Sequence, residues 1–210
     1  MDSGGDALAV RDASTLITAR RGIRREPDRA EQIAAFSKLI APLGVDVHHV
    51  PSVAAAADLV RETAAEAVTS EVLVSSELLG VFPDLEAELT DRGLVLQLAS
   101  DPEHSLDAPL GVTTARHAVL ETGSLLTSEA TLADRSVSLL SLTCLFVVPV
   151  SCIIPSLDDA AMVLRAEAKK PGGAYSTLIT GPSRTADIEL SLTVGVQGPG
   201  RVIVVFVDDV

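Results

Sequence analysis

Aromatic residues are scarce in this chain. Its 210 residues include no Trp, one Tyr and four Phe, against a hydrophobic share of 47%. A core of ordinary size must therefore be built from Val, Leu, Ile and Ala. Positive charge is also short, with 16 Lys and Arg against 29 Asp and Glu and a net charge of −13. That balance argues against nucleic acid or an anionic membrane as the main partner, since both select a basic surface. No apolar run approaches the roughly 18 residues of a membrane-spanning helix. The start, MDSGGDALAVRD, has neither the basic region nor the apolar run of a signal peptide, so a cytoplasmic location is expected.

Metal and nucleotide signatures are missing as well. The two cysteines, Cys144 and Cys152, stand in apolar surroundings, without the Cys-x-x-Cys groupings of zinc or iron–sulfur sites. They read as buried free thiols. His48 and His49 adjoin on one predicted strand and must face opposite ways, with no cysteine or carboxylate at ligand spacing. The turn Gly195–Gly200 lacks both the Gly-x-Gly-x-x-Gly pattern and a phosphate-loop lysine.

What is present is an alternation of short strands and helices. Ile33, Phe36, Leu39, Ile40 and Leu43 recur at helical spacing after Pro27, and Gly44 ends that helix. Val45–Val50 then reads as a strand, Val53–Ala67 as a helix, Glu71–Ser75 as a strand, Pro83–Arg92 as a helix and Leu94–Ala99 as a strand. The second half gives strand-like Ala118–Leu120, a polar break at Glu121–Ser124, and apolar Leu125–Leu126. A buried strand at Cys144–Val148, a helix at Leu157–Lys169, a strand at Ser176–Thr180 and a closing apolar strand follow. Such alternation predicts a single α/β domain over residues 28–210, with a mostly parallel central sheet flanked by helices. Residues 1–27 form an N-terminal extension, partly disordered or helical over Ala13–Arg25. The Arg-rich run Arg20–Arg29 is the one basic island, either a solvated face or a contact for an anion or partner.

Two places carry candidate chemistry. Glu121 follows an apolar strand and precedes Thr122-Gly123-Ser124, where it could act as nucleophile or general base. Equally, its carboxylate could be bonded to backbone N–H groups or to Arg135. The stretch from Thr180 sets Gly181-Pro182 beside Ser183, Arg184, Thr185, Asp187 and Glu189. Ser183 or Thr185 could cap a helical turn, making an anion site with Arg184. The alternative is a knot in which Arg184 and Asp187 neutralise each other.

Three blocks carry a family resemblance: GVTTARHAVLETGSLLT from Gly111, Arg135 with SLLSLTCLFVVPVSCII, and TGPSRTADIELSLTVGVQGP from Thr180. Together they resemble the LUD domain of the lactate-utilization protein C family (LutC/YkgG). The resemblance implies a fold of the NagB/RpiA/CoA-transferase-like group. It also implies a place in a system oxidising L-lactate to pyruvate, with iron–sulfur clusters in partner subunits and none in this chain. Carried over, it gathers Glu121 to Ser124, Arg135, Gly181 to Glu189, and Gly195 to Pro199 with Gln197 and Gly198 into one cleft. By analogy with CoA-transferases, which use a catalytic glutamate, Glu121 would be the counterpart. A transferase-like enzyme acting on CoA esters or phosphorylated metabolites, binding a small anionic ligand, is the alternative, and a scaffold without a ligand is a third. The chain departs from the family pattern at Gln197, where His is usual, leaving hydrogen bonding rather than proton transfer there. Leu142-Thr143 likewise lacks the proline common before the buried strand.

Overall fold

In the computed structural model, which describes residues 27–100, 108–169, 175–185, 193–195 and 198–208, the first element described is a helix. The Asp28 side chain accepts the Glu31 N–H at 2.9 Å and the Glu31 carboxylate accepts the Asp28 N–H at 3.0 Å. This reciprocal cap opens α1 (Arg29–Ile40), which buries Ile33, Phe36 and Ile40. After a short 3-10 turn, Gly44 reverses the chain at φ 78°. There follow β1 (Val45–Val50), α2 (Val53–Glu66), β2 (Glu71–Val74), α3 (Ser76–Val81), α4 (Leu85–Asp91), β3 (Val95–Leu98), β4 (Leu110–Thr113) and β5 (His117–Val119). The second half runs β6 (Ser124–Glu129), α5 (Leu132–Leu140), β7 (Thr143–Pro149), β8 (Ile153–Ile154), α6 (Leu157–Glu167), β9 (Tyr175–Ile179), β10 (Arg184–Thr185), β11 (Thr193–Val194) and β12 (Arg201–Val207).

Six strands form a wholly parallel sheet in the order β1-β12-β7-β4-β2-β3. The mostly parallel sheet and flanking helices expected from the alternation are therefore present. Because side chains alternate across a strand, β12 sends Ile203, Val205 and Val207 to one face and Val202, Val204 and Phe206 to the other. The first face packs on α2, α3 and α4 through Ala57, Val60, Leu78 and Leu89. The second packs on α1 and on a smaller sheet, β8-β5-β6-β9, in which β5–β6 and β6–β9 are antiparallel. Phe36 meets Phe206 edge-on there, with ring centroids 5.3 Å apart.

Strand order reverses at one place. The step from β2 to β3 runs toward one edge, whereas β4, β7 and β12 advance toward the other. The reversal lies between β2 and β4, and crevices at such reversals, outside the carboxyl ends of the strands, are where open α/β sheets bind ligands.

The structure differs from the sequence reading in several places, and strand β4 and helix α5 were not marked by it at all. The smaller sheet was not foreseen, because helices separate β6, β8 and β9 in sequence. Ser76–Val81 forms a helix of its own before Leu85. Arg184–Thr185 is a strand paired antiparallel with Thr193–Val194, so no helical turn begins directly after Ser183, and the residues that a turn capped by Thr185 would occupy lie outside those described. The extension 1–26, Asp187, Glu189 and Gln197 lie outside the described residues. Among the described residues, no helix is long and apolar enough to cross a membrane.

Helix α5 lies close against β4. A Cβ added to Gly111 would stand 2.1 Å from Ser141 Oγ and 2.9 Å from the Val137 carbonyl oxygen. Gly111→Ala must push the helix off the sheet, and a loss of about 1–3 kcal/mol in urea unfolding is expected. Unchanged stability would contradict this packing.

Candidate active site

The reversal between β2 and β4 is closed by polar side chains, each placed by a strand end or a helix start. Ser75, just past β2, and Thr113, the last residue of β4, share a buried hydrogen bond of 2.9 Å between their hydroxyls. Thr131 caps α5 by accepting the Asp134 N–H at 3.1 Å. This sets Asp134 over the end of β2, where its carboxylate accepts the Ser76 N–H at 2.6 Å and the Ser76 hydroxyl at 2.7 and 2.8 Å. The Thr131 hydroxyl donates to the same carboxylate at 2.9 Å. Asp134 is only 4% exposed, so these donors replace the water it has lost.

Two more carboxyl groups gather around it. Glu77 meets Arg116 at 3.5 Å. Burial raises the Glu77 pKa above the ordinary carboxylate value, with the charges of Glu129 and Asp134 adding to the rise and Arg116 opposing it. Glu129, at the end of β6, is 2% exposed, and burial raises its pKa as well. Thr127, the residue's own backbone and Arg135 pull it the other way. Neither Glu129 oxygen, however, has a hydrogen-bond partner of good geometry. Thr127 therefore lies near the carboxyl group without truly bonding it, and desolvation dominates. The arrangement can hold a proton on a buried acid beside two arginines, the equipment of general acid–base chemistry.

The residues singled out in the sequence divide between this crevice and a second region. Glu121 is exposed, and its carboxylate accepts the Leu157 N–H at 2.8 Å at the start of α6. Of the two structural alternatives for it, the backbone partner is realised. Thr122, Ser124 and Thr180 form a chain of hydroxyls, with both links 2.8 Å long. Gly123 turns at φ 66° with Leu39 of α1 3.4 Å from where a Cβ would be, so the ETGS turn is docked on that helix. Ser183 donates its N–H to the Pro199 carbonyl and accepts the Gly195 N–H, each at 2.9 Å. Arg184 donates to the Leu43 carbonyl. Thr180, Gly181, Ser183, Arg184, Gly198 and Pro199 line a shallow groove of about 310 Å³ together with Ser138 and Leu139. Pro182 lies half-buried between them, and Thr185 pairs with Thr193.

Arg135 sits in the first turn of α5 with its guanidinium 5.2 Å from the Tyr175 ring centroid. Tyr175 pairs with Glu129, whereas Leu125 pairs with Ile179 next to Thr180. Ser124 and Glu129 thus mark opposite ends of β6, about 17 Å apart at the usual rise per strand residue. Helix α5 borders both neighbourhoods: Arg135 stands at the Glu129 end, and Ser138 and Leu139, one turn further along, line the groove of Thr180, Gly181 and Pro199.

A further groove of about 330 Å³ lies near Arg201, at the opposite end of the parallel sheet. Its guanidinium is already occupied by Glu66 at 2.6 Å and Asp46 at 3.1 Å. The crevice at the strand reversal is the stronger candidate. Sequence reading missed Ser76, Glu77, Arg116, Glu129 and Asp134. A legible signal existed only for Asp134, in the capping pattern Thr131-x-x-Asp134 before an apolar run.

A parallel six-stranded sheet, a cluster of polar side chains at its strand reversal and a small second sheet laid over one face define an α/β protein of the open-sheet class. The family model of the LUD domain matches residues 33–207, and the chain belongs to that family. It is 34% identical over 141 residues to lactate utilization protein C of Bacillus velezensis, covering 63% of this chain and 58% of that one. It is 36% identical over 104 residues to lactate utilization protein C of Bacillus subtilis, covering 49% and 43% respectively. The chain therefore spans about half the length of these curated relatives. The uncharacterized protein YkgG of Escherichia coli is 31% identical over 160 residues, 74% of this chain and 68% of that one. A crystal structure of a DUF162 family protein from Deinococcus radiodurans shares the fold, with a TM-score of 0.62 at 20% identity over 87% of this chain and 99% of that one.

Two outcomes test the crevice. Asp134→Ala leaves the Ser76 N–H and two hydroxyls without their acceptor, and a loss of about 2–4 kcal/mol in urea unfolding is expected. A loss below 0.5 kcal/mol, the range of ordinary surface changes, would contradict the account. The pH dependence follows from the raised pKa values of Glu77 and Glu129. The folded state binds their protons more tightly than the unfolded state, so stability is full below the ordinary 4.5 and falls as pH rises from there through the folded-state values. Glu129→Gln should flatten that fall in unfolding curves measured across the acid range, while an equally steep fall would show that Glu129 is not its source.

Proposed function

We propose that the chain is a component of a system that uses L-lactate, oxidising it to pyruvate with iron–sulfur proteins as partners and holding no cluster itself. The observation that carries this reading is the similarity to lactate utilization protein C, joined to LUD family membership across residues 33–207. The cysteine pattern is compatible with it. Cys144 is fully buried, and burial pushes its thiol well above the ordinary range, so it is a packing residue rather than a ligand. Electron-carrying centres would belong to partners, and the system would work in the cytoplasm.

The transferase reading leaned on Glu121 as nucleophile. With that carboxylate exposed and engaged by the Leu157 N–H, no specific observation favours it over lactate use.

Deleting the gene should abolish or slow growth on L-lactate as sole carbon source while leaving growth on pyruvate intact, and the wild-type gene should restore it. Purification of the tagged chain from lactate-grown cells should bring down proteins with iron–sulfur absorbance. Unimpaired growth of the deletion strain on lactate would overturn the reading.

A further inference from the structure

Strand β9 is an edge of the smaller sheet. It pairs with β6 and, among the described residues, with nothing on its other side. Alternate residues of an antiparallel strand turn their N–H and C=O groups away from the partner, so part of the β9 backbone is offered outward. Open edges are usually blunted by charged residues, prolines or bulges. Tyr175-Ser176-Thr177-Leu178-Ile179 has no charge and no proline, and its register with β6 runs without a bulge. Strand β1, an edge of the larger sheet, by contrast carries Asp46, His48 and His49.

This edge borders a groove. Ser138 and Leu139 of α5 stand on one side and Leu178 and Ile179 on the other, around a volume of about 310 Å³. A helix beside a free strand edge is the geometry in which an extended peptide adds a strand, with backbone bonds on one side and side-chain contacts on the other. Past the end of β9 the groove is lined by Gly181, Ser183, Arg184 and Pro199. The Ser183 N–H holds that lining together by donating to the Pro199 carbonyl at 2.9 Å. A chain lying along β9 and running the same way meets these residues, so its last residue belongs there.

Arg184 sets the chemistry of that last residue. Its guanidinium donates to the Leu43 carbonyl and lies on the Gly44 turn, with Nη2 3.5 Å from where a Gly44 Cβ would stand. That bond uses one N–H donor and leaves the others, and among the described residues no carboxylate pairs with Arg184. Arg92, Arg116 and Arg201 are each matched by an acid. An unmatched guanidinium, fixed in place, suits a carboxylate brought from outside. Leu139 and Leu178, the latter 42% exposed, suit an apolar side chain beside it. The net charge of −13 sets two copies of this chain against each other, so the occupant is a different protein.

We propose that the groove between α5 and β9 receives the C-terminal segment of a partner protein. The segment lies extended and parallel to β9, with its terminal carboxylate on Arg184 and an apolar last side chain against Leu139 and Leu178. Such docking does not depend on lactate use.

The test takes the full chain as bait for a random peptide library displayed with free C-termini. Peptides ending in an apolar residue should be enriched. The selected peptide, synthesised and measured by fluorescence polarisation, should bind about tenfold or more tightly as the free acid than as the C-terminal amide, the effect of one lost charge-assisted hydrogen bond. Arg184→Gln should cost a similar factor. Leu178→Glu, at an exposed position, should weaken binding as well, and thermal unfolding checks that both variants are folded. N-methylation of one alternate set of peptide N–H groups should abolish binding, while the other set tolerates it. No enrichment over an Arg184→Gln bait, equal binding of acid and amide, or unchanged affinity in both folded variants would overturn the site. So would a dimer in sedimentation that Leu178→Glu dissociates, since a second copy would then fill the groove.

Discussion

The buried carboxylate of Asp134 joins the two halves of the crevice. Its donors come from the turn that leaves β2, 58 residues before it in sequence, and from the cap that begins α5. Three charge-assisted bonds in a site sealed from water are strong enough to fix the start of α5 over the end of β2. The far end of that helix is fixed independently by the close approach of Ser141 and Val137 to Gly111. Held at both ends, α5 brings Arg135 beside the end of β6 and returns the chain to β7 at the centre of the sheet. The polar groups of the reversal follow from that placement.

Strand β6 is the second organising element. All six of its residues are buried, and it lies between β5 and β9 in the smaller sheet. One end carries Ser124, linked through hydroxyls to Thr122 and Thr180. The other carries Glu129, facing Tyr175 across the ladder. The residues that mark the family by sequence therefore report two neighbourhoods. The described residues between Thr180 and Pro199 are held by backbone hydrogen bonds at Ser183, Gly195 and Pro199 and by glycine turns, as expected of a stretch that shapes a surface. The Glu129 end holds titratable groups drawn from strand ends, and there burial changes the chemistry available.

Local patterns made much of the fold legible. The limits of β1 and the spans of α2, α6 and β7 follow from apolar periodicity and from caps at Ser52 and Ser156. The smaller sheet was not legible, because β6 and β9 pair antiparallel although α5, β7 and α6 intervene in sequence, which mimics a continuing parallel sheet. The site was less legible still. Glu121 reads as chemistry because it ends a strand before a Gly turn, yet it caps α6 in the open. Glu129 follows a polar Thr127-Ser128 pair and carries no motif, yet it is buried at the end of β6, with Tyr175 of β9 opposite it in the ladder. Its importance depends on strand order, which no local pattern encodes.

The central claim is that Glu129 is a desolvated carboxyl group facing the crevice. Infrared difference spectroscopy reads it directly, because a protonated carboxyl group has its own carbonyl band. The account predicts such bands persisting to higher pH than those of exposed carboxyl groups, reduced in Glu129→Gln by the share that Glu77→Gln leaves in place. A spectrum in which every carboxyl band disappears at the ordinary carboxylate pH, with Glu129→Gln indistinguishable from wild type, would contradict it.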